Sequence, residues 1–547
     1  MILRIGLDFD NTIANYDQAF PEVARILGYE TNELNATFDT TLNTRLNKRE
    51  LKTKLLKQPD GDTAWQKVQG LVYGKFIDLA SLYPGVYEFV LRALASGNEI
   101  FIVSHKTELG HFDESRTPLR QAATTWLTNQ KLVGDSDSKI KLQNIYYAET
   151  RDEKIDRIIE LKLDVFIDDL DEVLSDKSFP KNTRKILFGS STTTSQEISA
   201  MQSWREVGDE LFGEIDASVI LAGAKYICPE LNCSSAQRVE GRGNSKIFRV
   251  ETSQGSIALK VYPDLAVDNR LRRNAEWQAL KFLQQNKLRV PKPVQTDSEL
   301  NWSLIEWIDG SPADAQNQAH LGEAASFIQR LNQASREITS GSVFGPATEA
   351  CLNPSFVETQ INNRLAALKS VEDSALREFV DNVVSPTLAR TIEATRRSMV
   401  DEYDVILDQK FWTLSPSDFG LHNAIATPQG DLVFFDFEYF GWDDPVKLTA
   451  DVCLHPGMSL DENAQHYWIS EAKKLFADDP NFGIRLNALY PLYAIRWALI
   501  MLNEYRTDKI KNRLNAQSRM QSDIRGAQLK QLEKAKLMLK NADRTVL

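Results

Sequence analysis

From residue 1 to about 213, short apolar runs alternate with longer stretches in which apolar residues recur every three or four positions. The runs at 2–7, 99–104, 144–148, 163–167 and 185–188 predict strands, with helices between them. Alternation of this kind predicts an α/β fold with a parallel, doubly wound sheet. Helical periodicity over about residues 16–82 interrupts it after the first strand, and Pro84-Gly85 marks the return. Residues 214–232 lack either pattern and read as a linker.

A different pattern begins at 233. A glycine-bearing turn, Glu240-Gly-Arg-Gly-Asn-Ser245, is flanked by strand-like residues, and Ile257-Ala-Leu-Lys-Val261 is a further strand. Residues 270–280 predict a helix, and the apolar stretch 489–502 predicts a buried one. That stretch contains Pro491 and Arg496 and is too short to span a bilayer. The segment after Tyr505 holds eleven Lys or Arg against four Asp or Glu and reads as a solvated closing helix. The pattern therefore predicts a first domain over 1–213, the linker, and a second domain over 233–547.

Composition narrows the class. A chain of 547 residues is too long for one core, which agrees with two domains. Apolar content of 42% and charged content of 26% are those of a globular protein. A net charge of −12 offers no basic excess to neutralise nucleic-acid phosphates, so no nucleic-acid partner is expected. Cys228, Cys233, Cys351 and Cys453 fit neither a disulfide framework nor a zinc pattern and read as buried thiols. The N-terminus runs straight into a charged strand with no signal-peptide pattern. A cytoplasmic location without membrane attachment is the expectation; oligomeric state is left open.

Candidate chemistry in the first half sits at strand ends, where α/β sheets bind ligands. Asp8-Phe-Asp-Asn-Thr12 follows the first strand. A carboxylate there can attack a phosphoryl group, and a second one two residues on can exchange protons with the leaving oxygen. Ser104 ends the second strand, and Asp168-Asp169 end the strand Val165-Phe-Ile-Asp-Asp169. This order of motifs resembles the haloacid dehalogenase (HAD) superfamily of phosphatases. The resemblance implies a Rossmann-like sheet with a small helical cap at about 16–82, Asp8 as nucleophile and Asp10 as acid and base. It further implies Thr12 and Ser104 on phosphoryl oxygens, Lys154 as the motif cation with Lys162 second, and Mg²⁺ held by Asp8, Asp10, Asp168 and Asp169. His105 is as compatible with a loop position as with substrate contact.

In the second half, Lys260 inside an apolar strand needs a carboxylate partner, and Glu276 on the following helix is a plausible one. Leu414-Ser-Pro-Ser-Asp-Phe-Gly-Leu-His-Asn423 places Asp418 and Asn423 at the D-x-x-x-x-N spacing, and Asp436 follows thirteen residues later in Val433-Phe-Phe-Asp-Phe-Glu438. These motifs resemble the aminoglycoside phosphotransferase and choline kinase family, over roughly 234–505. The resemblance implies a bilobal, protein-kinase-like α+β domain that phosphorylates a small-molecule hydroxyl. Asp418 would be the catalytic residue. ATP would be bound by Gly241, Gly243, Asn244, Ser245, Lys260 and Glu276, and Mg²⁺ by Asn423 and Asp436. One departure is Pro416-Ser417, where the family has His-Gly. His422 reads as a local hydrogen-bonding residue, and Trp302, Trp307, Trp412 and Trp442 as core or pocket-wall aromatics.

Together the halves predict a bifunctional enzyme: a Mg²⁺-dependent phosphate-monoester hydrolase joined to an ATP-dependent kinase, acting in successive steps of one pathway. An aminoglycoside-type resistance kinase, or a catalytically silent half acting as a binding module, are the other readings.

Overall fold

The computed structural model describes residues 2–29, 48–110, 112–193, 195–239, 245–338, 344–506 and 524–543. Two compact units divide the chain. The first is Met1–Ala236 with Asp264–Asn269 and Asp297–Asn301; the second is Gln237–Pro263, Arg270–Thr296 and Trp302–Leu547.

The first unit is built on a six-stranded sheet. Its order is Ile145–Ala148, Glu99–His105, Arg4–Leu7, Val165–Asp168, Arg184–Phe188 and Ile198–Met201, with every pairing parallel. The strand order reverses at Arg4–Leu7, so the carboxyl ends of Arg4–Leu7 and Val165–Asp168 lie side by side at the position where open α/β sheets bind ligands. Five of the strands fall where the apolar runs predicted them. The sixth, Ile198–Met201, is four residues long with a mixed pattern and gives no sequence signal of its own.

The expected insertion is helical, with Ala19–Ile26, Lys48–Leu55 and Gly61–Tyr73 packed on one another. Phe20 stacks on Trp65 at 5.1 Å within it. An antiparallel bridge of Ala14–Asn15 with Ser81–Leu82 ties its two ends together. Chain return is made at Gly85, whose left-handed φ of 86° starts the helix Val86–Ala95.

The linker expected at 214–232 is structured instead. Asp216 caps a helix, Ala217–Ile227, through bonds from the Ser218 and Val219 amides. That helix packs against Val86–Ala95 and buries Val219, Ile220, Ala224 and Ile227. Burial of one apolar face makes this segment part of the first unit, whose main segment runs to Ala236.

The second unit opens with a five-stranded sheet, ordered Pro293–Asp297, Trp302–Glu306, Gly255–Val261, Lys246–Thr252 and Ser235–Val239. Helices follow, among them Gln318–Arg336, Pro445–Leu454, Glu462–Leu475 and Phe482–Met501. Phe482–Met501 is the predicted buried helix, longer than the apolar stretch and with Pro491 inside it. Its Arg496 is buried but paired with Asp451 and Gln360. The closing helix Ile524–Leu539 lays Leu532, Ala535 and Leu539 against it, so one face is packed rather than solvated. Among the described residues no helix is long and apolar enough to cross a membrane.

Candidate active sites

In the first unit, pairing of Leu7 with Ile167 brings two strand ends into register, and the Asp8 amide donates to the Ile167 carbonyl at 2.9 Å. Asp8 and Asp168 are thereby neighbours. The helix Arg151–Glu160, capped by Thr150, delivers Lys154 in its first turn. Lys154 Nζ donates to Asp8 Oδ1 at 2.6 Å and to Asp168 Oδ2 at 2.7 Å. Asp8, Asp168 and Asp169 present carboxylate oxygens within 4.8 Å of one another. Lys154, with Lys48 also pulling on Asp169, does not offset the burial and mutual repulsion of these carboxylates. Burial, with Asp168, Asp169 and Asp10 adding, pushes Asp8 up to about 8 against the pull of Lys154. Burial and Asp168 push Asp169 up to about 7. Burial would lower Lys154, but Asp168 and Asp8 hold it above its usual value. A cluster with this unmet negative charge fits a divalent cation.

Asp10 stands outside that group, contrary to its expected place among the metal ligands. Its oxygens are taken by the Tyr16 hydroxyl at 2.6 Å and by Lys106 Nζ at 3.0 and 3.1 Å. Thr12 and Ser104 are fully buried, and neither hydroxyl has a hydrogen-bond partner among the described residues. Such orphaned hydroxyls fit the role of binding a ligand's oxygens. Lys162 lies in the exposed turn that ends its helix, away from the cluster. His105 binds the Glu149 carbonyl at 2.8 Å. Sequence reasoning missed Lys106, and also Lys48, whose Nζ donates to Asn11 Oδ1 at 2.9 Å and to the Tyr73 hydroxyl at 3.1 Å. A lysine one residue past His105 at a strand end was the available signal for Lys106.

In the second unit, Lys260 lies on the middle strand of the sheet, opposite Ser303 and Ile247. The helix Arg272–Gln285 supplies Glu276, and Lys260 Nζ meets Glu276 Oε2 at 2.8 Å as predicted. Two more carboxylates share the same ammonium: Asp436 Oδ1 and Glu438 Oε1, each at 2.8 Å. Arg272 pairs with the other oxygen of Glu438 at 2.7 Å, and the Ser245 hydroxyl donates to Glu438. Glu438 is held down at about 2, because Lys260 and Arg272 outweigh its burial. Asp436 is pushed up to about 7 by burial and by Glu438 and Glu276, despite Lys260. Asp436 is therefore the member with surplus negative charge, which fits a cation at this group of carboxylates. Glu438 and Arg272 went unpredicted, although a glutamate two residues after Asp436 in an apolar run was a visible anomaly. Gly241, Gly243 and Asn244 of the expected ATP turn lie outside the described residues.

The loop 416–423 departs from a regular path. Ser417 has a φ of 66°, and the Asp418 amide donates to the Pro416 carbonyl at 2.8 Å. The Ser417 hydroxyl donates to the Thr348 carbonyl at 3.2 Å, and Lys447 Nζ reaches it at 3.3 Å. Asn423 Nδ2 donates to the Asp418 carbonyl at 3.0 Å. Asp418 is half-buried, and His422 Nε2 lies 3.1 Å from its Oδ1. Burial would raise Asp418, but the hydrogen bond with His422, with His455 and Lys447 nearby, holds it at about 2. Trp302 is core, while Trp412 and Trp442 line a cavity of about 830 Å³ with Phe344 and Phe476.

Residues 235–471 match the model of the phosphotransferase enzyme family, and this part of the chain is a kinase-like phosphotransferase domain. Similar solved structures include the choline kinase LicA from Streptococcus pneumoniae, at 16% identity and a TM-score of 0.40, covering 58% of this chain and 97% of that one. A spectinomycin phosphotransferase in complex with ADP and spectinomycin is 11% identical, with a TM-score of 0.44 over 60% of this chain and 99% of its own. An ethanolamine kinase of Plasmodium vivax is 14% identical, with a TM-score of 0.41 over 59% of this chain and 89% of its own. No curated protein matches the chain.

Proposed function

We propose that the chain carries out two phosphoryl-transfer reactions: ATP-dependent phosphorylation of a small-molecule hydroxyl in the second unit, and phosphate-monoester hydrolysis in the first. The kinase reading rests on the convergence of Glu276, Asp436 and Glu438 on Lys260, within a stretch that matches a phosphotransferase family. In this reading Lys260 and the glycine-bearing residues 241–245 would position ATP, and Asp418 would orient or deprotonate the attacking hydroxyl. Asn423 and Asp436 would hold Mg²⁺, which supplies neutralising charge for the phosphates.

The hydrolase reading rests on the Asp8–Lys154–Asp168 cluster at the strand reversal, and is supported by the buried Thr12 and Ser104 hydroxyls, which have no hydrogen-bond partner among the described residues. Asp8 would attack phosphorus and form an aspartyl-phosphate as the bond to the leaving oxygen breaks, with Asp10, entering protonated beside Tyr16 and Lys106, giving that oxygen its proton. Asp10 would then take a proton from a water that attacks the aspartyl-phosphate, freeing phosphate and Asp8. Asp8, Asp168 and Asp169 would hold Mg²⁺.

The two net reactions oppose each other, so performing both at one position of one molecule would only consume ATP. Different positions, or successive steps in making a precursor such as a headgroup or surface-sugar intermediate, avoid that loss. The test is a panel of alcohols, aminoalcohols, sugars and their phosphomonoesters with purified full-length protein, read as ADP formed and phosphate released. Turnover in both assays, with separate preferred compounds, is expected. Absence of ADP above background on every acceptor would remove the kinase half, and absence of phosphate release the other half.

A further inference from the structure

Asp418 leaves a strained turn. Its amide donates to the Pro416 carbonyl at 2.8 Å and closes a three-residue γ-turn with Ser417 at the centre, at a φ of 66°. Glycine takes a positive φ without cost; serine does not. A serine held there needs contacts that fix it in place.

Three hydrogen bonds do so. The Ser417 amide donates to Ser415 Oγ at 2.9 Å, its hydroxyl donates to the Thr348 carbonyl at 3.2 Å, and Lys447 Nζ donates to that hydroxyl at 3.3 Å. The hydroxyl's single hydrogen is committed to Thr348, because a carbonyl only accepts and an ammonium only donates. Thr348 is itself tied down, its amide donating to the Tyr439 carbonyl at 3.1 Å.

Lys447 is a fixed post for this contact. It lies in the first turn of the helix Pro445–Leu454, whose residues are all buried, and its own side chain is 1% exposed. Its Nζ pairs with Asp443 Oδ2 at 3.1 Å and with Asp451 Oδ2 at 2.9 Å. Burial would lower Lys447, but Asp443 and Asp451 hold it above its usual value, so it keeps its charge. Two carboxylates already meet the need of one ammonium for counter-charge. What the bond to Ser417 adds is a link from a rigid, buried helix to the residue before Asp418.

We propose that Lys447 is a positioning residue for phosphoryl transfer: anchored by Asp443 and Asp451, it holds the Ser417 hydroxyl and with it the turn that aims Asp418 at the acceptor hydroxyl. This role rests on the kinase reading above. A turn that loses the link lets the Asp418 carboxylate drift, which costs rate rather than nucleotide affinity.

The experiment centres on Ser417→Gly, which accepts the positive φ freely but has no hydroxyl for Lys447, beside Ser417→Ala, which lacks the hydroxyl and keeps the strain. Both are made in the full chain and assayed with the best acceptor of the panel. Ser417→Gly is expected to lower kcat about 10-fold, the effect of one hydrogen bond to a charged group, and Ser417→Ala at least as much. The calorimetric Kd for ATP should stay within about twofold in both. Lys447→Arg, which keeps a charge for Asp443 and Asp451 but moves the donor, should lower kcat in the wild-type background and no further in Ser417→Gly. Wild-type kcat in Ser417→Gly overturns the proposal, since the backbone conformation alone would then suffice. An equal loss of ATP affinity or a lowered melting temperature in Ser417→Gly also overturns it, because that marks general disruption. Additive losses from Lys447→Arg and Ser417→Gly would show that Lys447 does not act through the hydroxyl; should Lys447→Arg fail to fold, the two Ser417 variants decide. A wild type that binds ATP but transfers phosphate to no acceptor overturns the kinase reading itself, and the role of Lys447 falls with it.

Discussion

Lys154 Nζ lies 2.6 Å from Asp8 Oδ1, across 146 residues of chain, and joins the first turn of a helix to the end of the first strand. The same ammonium reaches Asp168, so one cation serves two carboxylates from two strands. Removing it leaves buried negative charge without a partner. Lys154→Met is expected to lower phosphate release by about 10²- to 10³-fold. It should also destabilise the first unit by about 3–5 kcal/mol, as loss of one partner of a buried ion pair does. Urea unfolding followed by circular dichroism, beside a phosphate-release assay, checks both. Wild-type stability in the variant would mean that Lys154 does not neutralise the cluster.

The two sites belong to separate units, so their catalytic residues should be separable. Asp8→Asn is expected to reduce phosphomonoester hydrolysis by at least about 10³-fold while leaving ADP formation within about twofold. Asp418→Asn should do the reverse and leave ATP affinity nearly unchanged, because Lys260 and Asp436 remain. Equal loss of both activities in a folded variant would contradict two independent sites.

Asp8 and Asp169 imply a particular pH dependence. Both carboxyls are raised in the folded state, to about 8 and about 7, above their unfolded values. The folded state therefore binds more protons than the unfolded one in this range. The stability they contribute is fully present below the unfolded value and is lost as pH rises through 7 to 8. With a chelator present, the melting temperature should fall between about pH 5 and about pH 8.5. Mg²⁺ should restore it most at the alkaline end, where both carboxylates are charged and available as ligands. A flat profile with no Mg²⁺ effect would rule out a cation at this cluster.

Both clusters offer oxygen ligands, so Mg²⁺ should support both activities and added Zn²⁺ should not be needed. Metal analysis after chelation, followed by add-back of each ion, decides this. Stoichiometric zinc that survives chelation and tracks activity would be the contrary result.

The boundary at Ala236 predicts how truncation behaves. A fragment 1–236 keeps the helix Ala217–Ile227, while 1–213 loses it and uncovers the face of Val86–Ala95 it packs on. Each large apolar side chain so lost from burial is worth about 1.5–3 kcal/mol, so 1–213 should melt well below 1–236 or be insoluble. Equal melting temperatures would show that the helix adds nothing to the unit.

The sequence by itself determined the two-part organisation and picked out most residues of the two candidate clusters. Period-two and period-3.6 patterns are local signals, so five of six strands of the first sheet and the buried helix near 489–502 could be read directly. Lys260 could be singled out because a charge inside an apolar strand is costly unless it is paired, and Asp8, Ser104 and Asp168 because their order at successive strand ends resembles a phosphatase motif set. Tertiary structure decided the partners. Lys106 and Tyr16 on Asp10, Glu438 on Lys260 and Lys447 on Ser417 depend on how distant segments pack, which no local period encodes. The helix Ala217–Ile227 and the strand Ile198–Met201 were hidden for the same reason. The helix is defined by the face it packs on and the strand by the neighbour it pairs with, and both were supplied only when the chain folded.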